Sequence, residues 1–362
     1  MLARTAPVPI LTLAARKGLM PRKRPGFFMT DTPLGALLSS APPTLTDDEA
    51  ARLALLHFGV EGRLKRLTSE RDLNLQIATP GQAYVLKLAN PAEAAEVTDF
   101  QTQALLHLEG SGLPVPRVIR TRAGATEVAT PQGILRLLTY LEGTPQHLTP
   151  RTPAQARSLA AMAARLTQGL AGFSHPAAAH VLQWDIKQAA SLQPLLADVP
   201  QDLRPLAQAT LDRFLTLEPH LPDLRWQVVH NDLNPHNVLV SPDNPDEVSG
   251  ILDFGDMVYT PLICDAAIAA SYCIRAEAAL DSLLNFVRAY HAVLPLTAAE
   301  AQAFPDLVAA RMLTTLAITS HRAARYPDNA AYILRNFAAS RDGLIALAAL
   351  PRHTLQTAME AL

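Results

Sequence analysis

The 362-residue sequence predicts an α+β fold of two lobes: a small sheet with helix support, then a mainly helical second lobe. Three observations point there. Strand-like runs gather before residue 141, helical periodicity dominates after Gly143, and the strands of the second half are short and bracket polar loops. With 49% hydrophobic residues, a chain of this length can build a sizeable core.

Residues 1–43 are rich in Pro, Ala and Arg without a sustained period and read as a disordered tail, with Met29 as an alternative translation start. The first lobe is expected over residues 44–140. Thr46-Asp47-Asp48-Glu49 reads as a capping box ahead of an apolar-periodic helix. Leu73, Leu75 and Ile77 alternate with polar neighbours, and Pro80-Gly81-Gln82 turns the chain into the strand Ala83 to Leu88, giving a hairpin. Residues 92–108 carry Val97, Phe100, Ala104, Leu105 and Leu108 at helical spacing, stopped by Gly110, Gly112 and Pro114. Val115 to Arg120 and Gly133 to Leu141 read as further strands.

The second lobe is expected over residues 141–362. Helices are expected at Pro153 to Leu170, Leu203 to Leu217, Ala278 to Val293, Ala298 to Ser320 and Ala330 to Leu350, with short strands at Gln227–Val229, Val238–Val240 and Val248–Asp253. The apolar runs fall short of the roughly 18 residues that span a bilayer, and the stretch from Pro261 to Ile274 carries Asp265. Cys264 and Cys273 have neither metal nor redox spacing and read as reduced thiols, fitting a cytoplasmic protein. The net charge of −2 hides six basic residues and no acid in residues 1–28, which leaves −8 for the rest. An acidic body argues against a nucleic-acid partner and suits a cationic small molecule.

Between two Val-rich segments lies His230-Asn231-Asp232-Leu233-Asn234-Pro235-His236-Asn237. Asn, Asp and Pro are ordinary turn residues, but a second element changes the reading: Val248 to Leu252 is an apolar run ending on Asp253-Phe254-Gly255. Together these have the two-part order of kinase-type phosphoryl transfer. That chemistry needs Mg²⁺ to offset phosphate charge and hard oxygen ligands to hold it, which Asn237 and Asp253 supply. The acceptor hydroxyl must be oriented and lose its proton, the task of Asp232. Lys87, on an upstream strand, supplies a cation for the phosphates. Two ordered motifs and a positioned lysine are much harder to obtain by chance than any one alone.

These residues make the chain resemble the aminoglycoside phosphotransferase superfamily over roughly residues 45–345, and Val248 to Met257 with Ser69-Glu70-Arg71-Asp72-Leu73-Asn74 are most similar to the hydroxylysine kinase branch. The resemblance implies a protein-kinase-like bilobal fold and transfer of a nucleotide γ-phosphate to a small-molecule hydroxyl, that of 5-hydroxylysine, with GTP or ATP as donor. It implies Asp232 as base, Asn237 and Asp253 as metal ligands, and Lys87, Ser69, Asn74, Thr139 and Leu141 as nucleotide-binding residues. Thr139 and Leu141 belong to a hinge between the lobes whose backbone would bond the purine. Two departures stand out: Asn231 replaces a Gly common in relatives, and Gln101 stands where an acid pairs with the strand lysine, leaving Glu96 or Asp99 as substitutes. Trp184, Asp185, Asp256 and Tyr259 are candidates for a cationic acceptor by charge and cation–π attraction; a packed Trp and helix-capping acids are the structural alternatives. His230 reads as a loop-holding residue and His236 as an edge residue. His321, Arg322 and Arg325 read as helix-end charge complementation, or as a carboxylate-binding arginine. Homoserine or an aminoglycoside as acceptor, and a non-catalytic pseudokinase, are the alternative functions.

Overall fold

The structure, a computed structural model, describes residues 42–362 apart from Glu70. The tail and Met29 therefore lie outside the described residues up to residue 41. Thr46 caps α1 (Asp47–Phe58): its hydroxyl accepts from Glu49 N, and the Glu49 carboxylate accepts from Thr46 N at 2.8 Å. The box fixes the first turn.

The chain then runs through β1 (Arg63–Leu67), β2 (Leu73–Ala78), β3 (Ala83–Leu88), α2 (Ala95–His107), β4 (Val118–Ile119), β5 (Val128–Thr130) and β6 (Gly133–Thr139). The strands form one six-stranded antiparallel sheet in the order β1-β2-β3-β6-β4, with β5 also on β6. Alternation gives the sheet two unlike faces. Leu75, Ile77, Leu86, Leu88, Leu135 and Leu137 pack with Ala50, Ala54 and Phe58 of α1. On the other face Asn74, Lys87 and Arg136 stand side by side in register across β2, β3 and β6. The α2 helix covers part of that face, where Gln101 and Thr102 accept from the buried Arg136 guanidinium.

Beyond β6 come β7 (Thr144–Pro145), α3 (Pro153–Gly169), a 3-10 segment at Ile186–Asp198 and α4 (Arg204–Leu217). Four short strands follow, β8 (Trp226–Val229), β9 (Val238–Val240), β10 (Val248–Ile251) and β11 (Val258–Pro261), paired as β10-β9-β7 and β11-β8. The chain ends with α5 (Ile263–Ser271), α6 (Ala279–Val293), α7 (Ala298–Arg325), α8 (Ala330–Ile333), α9 (Phe337–Ala348) and α10 (Arg352–Glu360). A large second core joins α3 to α7, with Leu307, Met312, Leu313 and Ile318 of the 28-residue α7 fully buried in it.

The expected strand over Val115–Arg120 shrinks to two residues, because Pro114 and Pro116 have no N–H to donate to a ladder. The single helix expected from Ala330 to Leu350 breaks at a 3-10 turn, Leu334–Asn336. Helix α5 escapes periodicity altogether, since all nine of its residues are buried and it has no polar face.

Candidate active site

A cleft of about 490 Å³ is lined by residues from the β1–β2 loop, β2, the β8–β9 loop, the segment after β10, and α7 to Asn336. Its floor is the His230–Asn237 loop. Asn231 and Asp253 have φ of 66° and 58°, the two non-glycine positive values among the described residues. Backbone strain of this kind persists only where its surroundings hold it. The holders are visible: Asn231 N donates to Asp265 Oδ1 of α5 at 2.8 Å, and the loop closes with Asn in place of Gly. The His230 ring bridges the two halves, Nε2–H donating to Leu252 O at 2.9 Å and Nδ1 accepting from Asp232 N at 3.2 Å. Burial lowers its pKa and keeps it neutral, as this bonding requires.

Asp232 is held from two sides. Oδ2 accepts from Asn237 Nδ2 at 2.7 Å and from Asn234 Nδ2 at 2.9 Å, while Oδ1 faces the Arg311 guanidinium at 3.3 Å. Burial, joined by repulsion from Asp256, pushes its carboxyl up to about 6 against the pull of Arg311. Because Asn237 spends its amide N–H groups on Asp232, its amide oxygen is the atom left for a cation.

Asp253 has the opposite environment. Lys87 Nζ lies 3.5 Å from its Oδ1, and that charge holds the carboxyl down at about 2 against the desolvation of the cleft wall. The second partner of Lys87 is Asp72 at 3.6 Å, from the loop before β2, and not an acid of α2. Gln101 instead bonds Arg136 and Glu93, Asp99 bonds His175, and Glu96 is exposed. The reason is Arg136: buried directly beside Lys87, it claims the helix residue that would otherwise pair with the lysine. Nearby, Arg71 Nη2 binds Asp256 Oδ1 at 2.6 Å. Gly255 leaves room for this pair, since a Cβ there would meet Arg71 Nη2 at 2.9 Å and Asp253 Oδ1 at 3.1 Å.

Ser69 and Asn74 line the same cleft, and the buried Asn74 Oδ1 has no partner among the described residues. At the hinge, Thr139 N donates to Arg117 O and Tyr140 N to Ala83 O. The acceptor candidates divide. Trp184 lines the cleft with the Arg311 guanidinium 5.4 Å from its ring, and Asp256 lines it opposite Arg71. Asp185 is not brought there: it is fully buried, caps the Ile186–Asp198 segment and is bound by Lys187 and Thr260. Tyr259 is outside as well, on β11, exposed and packed against Trp226. His321 binds Asp198 at 2.6 Å and leaves the cleft to Arg322. Sequence reasoning missed Asp72, Arg71 and Arg311. Only Arg311 carried a signal, a lone charge on the apolar stripe between Val308 and Leu313.

Fold and site together define a phosphotransferase that uses an alcohol group as acceptor. The chain belongs to the APH phosphotransferase enzyme family, whose model matches residues 63–304. It is 27% identical over 328 residues to a hydroxylysine kinase of Mus musculus, covering 82% of this chain and 87% of the relative. A homoserine kinase of Methylobacillus flagellatus is 29% identical over 245 residues, covering 66% and 72%. Among solved structures, an amicoumacin kinase in complex with AMP-PNP and Ca²⁺ superposes with a TM-score of 0.63 at 17% identity, covering 86% of this chain and 97% of that one. The bilobal α+β fold is that of these kinases.

Proposed function

We propose that the protein passes the γ-phosphate of GTP or ATP to the side-chain hydroxyl of 5-hydroxylysine, as a cytoplasmic, Mg²⁺-dependent enzyme. The observation that carries this is one cleft lined by Asp253, which Lys87 pairs from behind, and by an Asp232 pinned by Asn237 and Arg311. The similarity to hydroxylysine kinases from several vertebrates supports the acceptor.

Among the described residues no three His, Cys, Asp or Glu side chains gather into a ready metal cage. The donor set fits Mg²⁺ nonetheless, an ion commonly shared between one or two protein oxygens, water and nucleotide phosphates. Asp253 and the Asn237 amide oxygen would hold it, and when bound it would offset charge on the transferring phosphoryl group. The remaining work falls to side chains. Lys87 neutralises phosphate charge, and Ser69 and Asn74 offer polar groups at the same end. At the hinge the N–H groups of Thr139 and Tyr140 are already used, which leaves Leu141 to meet the purine edge. Asp232, ionised above about pH 6, orients the acceptor hydroxyl and takes its proton as the phosphoryl group transfers. Among the described residues no helix is long and apolar enough to cross a membrane.

Homoserine is the second reading, supported by the homoserine kinase relatives. A pseudokinase role is disfavoured by the complete set of Lys87, Asp232, Asn237 and Asp253. A coupled GDP/ADP-release screen over hydroxylated amino acids, amino alcohols and aminoglycosides, run with GTP and with ATP, tests the proposal. Turnover on 5-hydroxylysine above all others is the expected result; no turnover on any amino acid would defeat it.

A further inference from the structure

The β1–β2 loop lines the phosphate end of the cleft without a glycine, and what it brings there instead is a guanidinium. Arg71 is held at both ends. Its backbone carbonyl accepts from Nδ2 of the buried Asn90 at 3.1 Å, and Asn90 N donates to Asp72 Oδ1 at 3.2 Å. At the tip, Nη2 donates to Asp256 Oδ1 at 2.6 Å, across from the first lobe to the second. A guanidinium carries its N–H donors in a planar fork, and among the described residues Asp256 is the one acceptor bonded to this fork. The position of the tip decides its use. A Cβ on Gly255 would sit 2.9 Å from Arg71 Nη2 and 3.1 Å from Asp253 Oδ1, so the cation and that carboxylate face each other across a gap of one carbon atom. Asp256 in turn is near enough to Asp232 to repel its carboxyl. The Arg71–Asp256 pair thus borders both on the carboxylate proposed to hold a metal ion and on the one proposed to take the proton. The neighbouring cations are already divided, Lys87 between Asp72 and Asp253, and Arg311 between Asp232 and the Trp184 carbonyl.

We propose that Arg71 is a further catalytic residue, whose guanidinium bonds the γ-phosphoryl oxygens as that group passes from nucleotide to acceptor while Asp256 holds it in position. In this step the bond from the γ-phosphorus to the β–γ bridging oxygen breaks, and its electron pair leaves with the nucleoside diphosphate. The acceptor oxygen bonds to the phosphorus and its proton goes to Asp232. Negative charge is spread over the equatorial phosphoryl oxygens in between. A fork already oriented by Asp256 and by the loop backbone meets that charge with little reorganisation, which is what makes such a donor effective. The loop therefore contributes by a charged side chain what a glycine-rich loop contributes by backbone amides. The inference rests on the kinase reading above and not on the identity of the acceptor.

The test compares wild type, Arg71→Ala and Arg71→Lys on the acceptor that the release screen identifies, with nucleotide affinity titrated using a non-hydrolysable analogue. Arg71→Ala should lower kcat about a thousandfold, the low end for an arginine that meets a transferring phosphoryl group, with nucleotide affinity reduced about fivefold at most. Arg71→Lys, which keeps the charge but not the fork, should fall between the two. Two further readouts separate this role from a mere tie between the lobes. Guanidinium chloride at a low, non-denaturing concentration should restore part of the lost kcat to Arg71→Ala, whereas sodium chloride at the same concentration should not. Nucleoside diphosphate with aluminium fluoride and acceptor, a stand-in for the phosphoryl group in transfer, should bind wild type far more tightly than Arg71→Ala. A kcat for Arg71→Ala close to that of wild type, or a loss of nucleotide affinity as large as the loss of kcat with no rescue, overturns the role of Arg71 and leaves the kinase reading intact. A wild type that turns over no acceptor in the screen overturns both.

Discussion

Asp232 and Asp253 line the same cleft, yet their surroundings drive them apart. Asp253 faces Lys87 and is held at about 2, so it is ionised at every physiological pH, which is what a cation ligand requires. Asp232 is desolvated, repelled by Asp256 and only partly relieved by Arg311; it titrates at about 6, where a base can gain a proton and lose it again. On the proposed mechanism, two identical side chains would acquire two roles from environment alone, the pattern by which acid, base and ligand are told apart in other enzymes. The lesson is that the neighbours, Lys87 for one and Arg311 for the other, carry as much of the assignment as the carboxylates do.

The comparison can be broken most severely through the base. Asp232→Asn should lower kcat about a thousandfold, within the range of general-base contributions, while nucleotide affinity measured by titration stays nearly unchanged. Asp253→Asn should do the reverse to binding, weakening Mg²⁺-dependent nucleotide affinity by about a hundredfold or more, because a metal contact is worth several kcal/mol. Equal effects of the two substitutions on binding would erase the division of roles. A smaller effect concerns pH. The base must be unprotonated, so kcat should fall as pH drops through about 6, and Arg311→Met, by removing the cation that opposes burial, should move that acid limb to higher pH in a rate-versus-pH series.

Stability should separate the pair in sign. A carboxyl whose folded pKa is raised from 3.8 to about 6 binds its proton more tightly in the folded state. Its ionisation therefore costs stability as pH rises through that window, at most about 3 kcal/mol at neutral pH. Asp232→Asn should raise Tm at pH 7.5. Asp253, with a lowered pKa, contributes stability that is present above 3.8 and lost as pH falls through about 2, so Asp253→Asn should lower Tm at the same pH. Smallest of all, Asn231→Gly should raise Tm slightly with activity retained. It relieves a positive φ and removes a buried amide whose atoms have no partner among the described residues.

Much of this was readable in the chain before folding. Capping at Thr46, the β2–β3 hairpin and the amphipathic α2, α3 and α6 follow from local pattern, and Lys87, Asp232, Asn237 and Asp253 stand at spacings that kinase chemistry demands. What stayed hidden depends on distance in sequence. Asp72 pairs with Lys87 because the sheet register sets Asn74 against Lys87, a fact of pairing and not of periodicity. Arg311 reaches Asp232 across 79 positions, and Arg71 reaches Asp256 across 185. Asp185 and Tyr259 looked eligible beside Trp184 and Asp256, but one is consumed as a helix cap and the other faces outward on β11. Helix α5, buried all round, has no period to read.

The most direct test of the divided pair is a carboxyl titration by NMR on protein carrying ¹³C-labelled aspartate, with Asp232→Asn and Asp253→Asn to assign the signals. The account predicts one carboxyl titrating near 6 that vanishes in Asp232→Asn, and one near 2 that vanishes in Asp253→Asn. Asp232 and Asp253 titrating together in the ordinary aspartate range would contradict it.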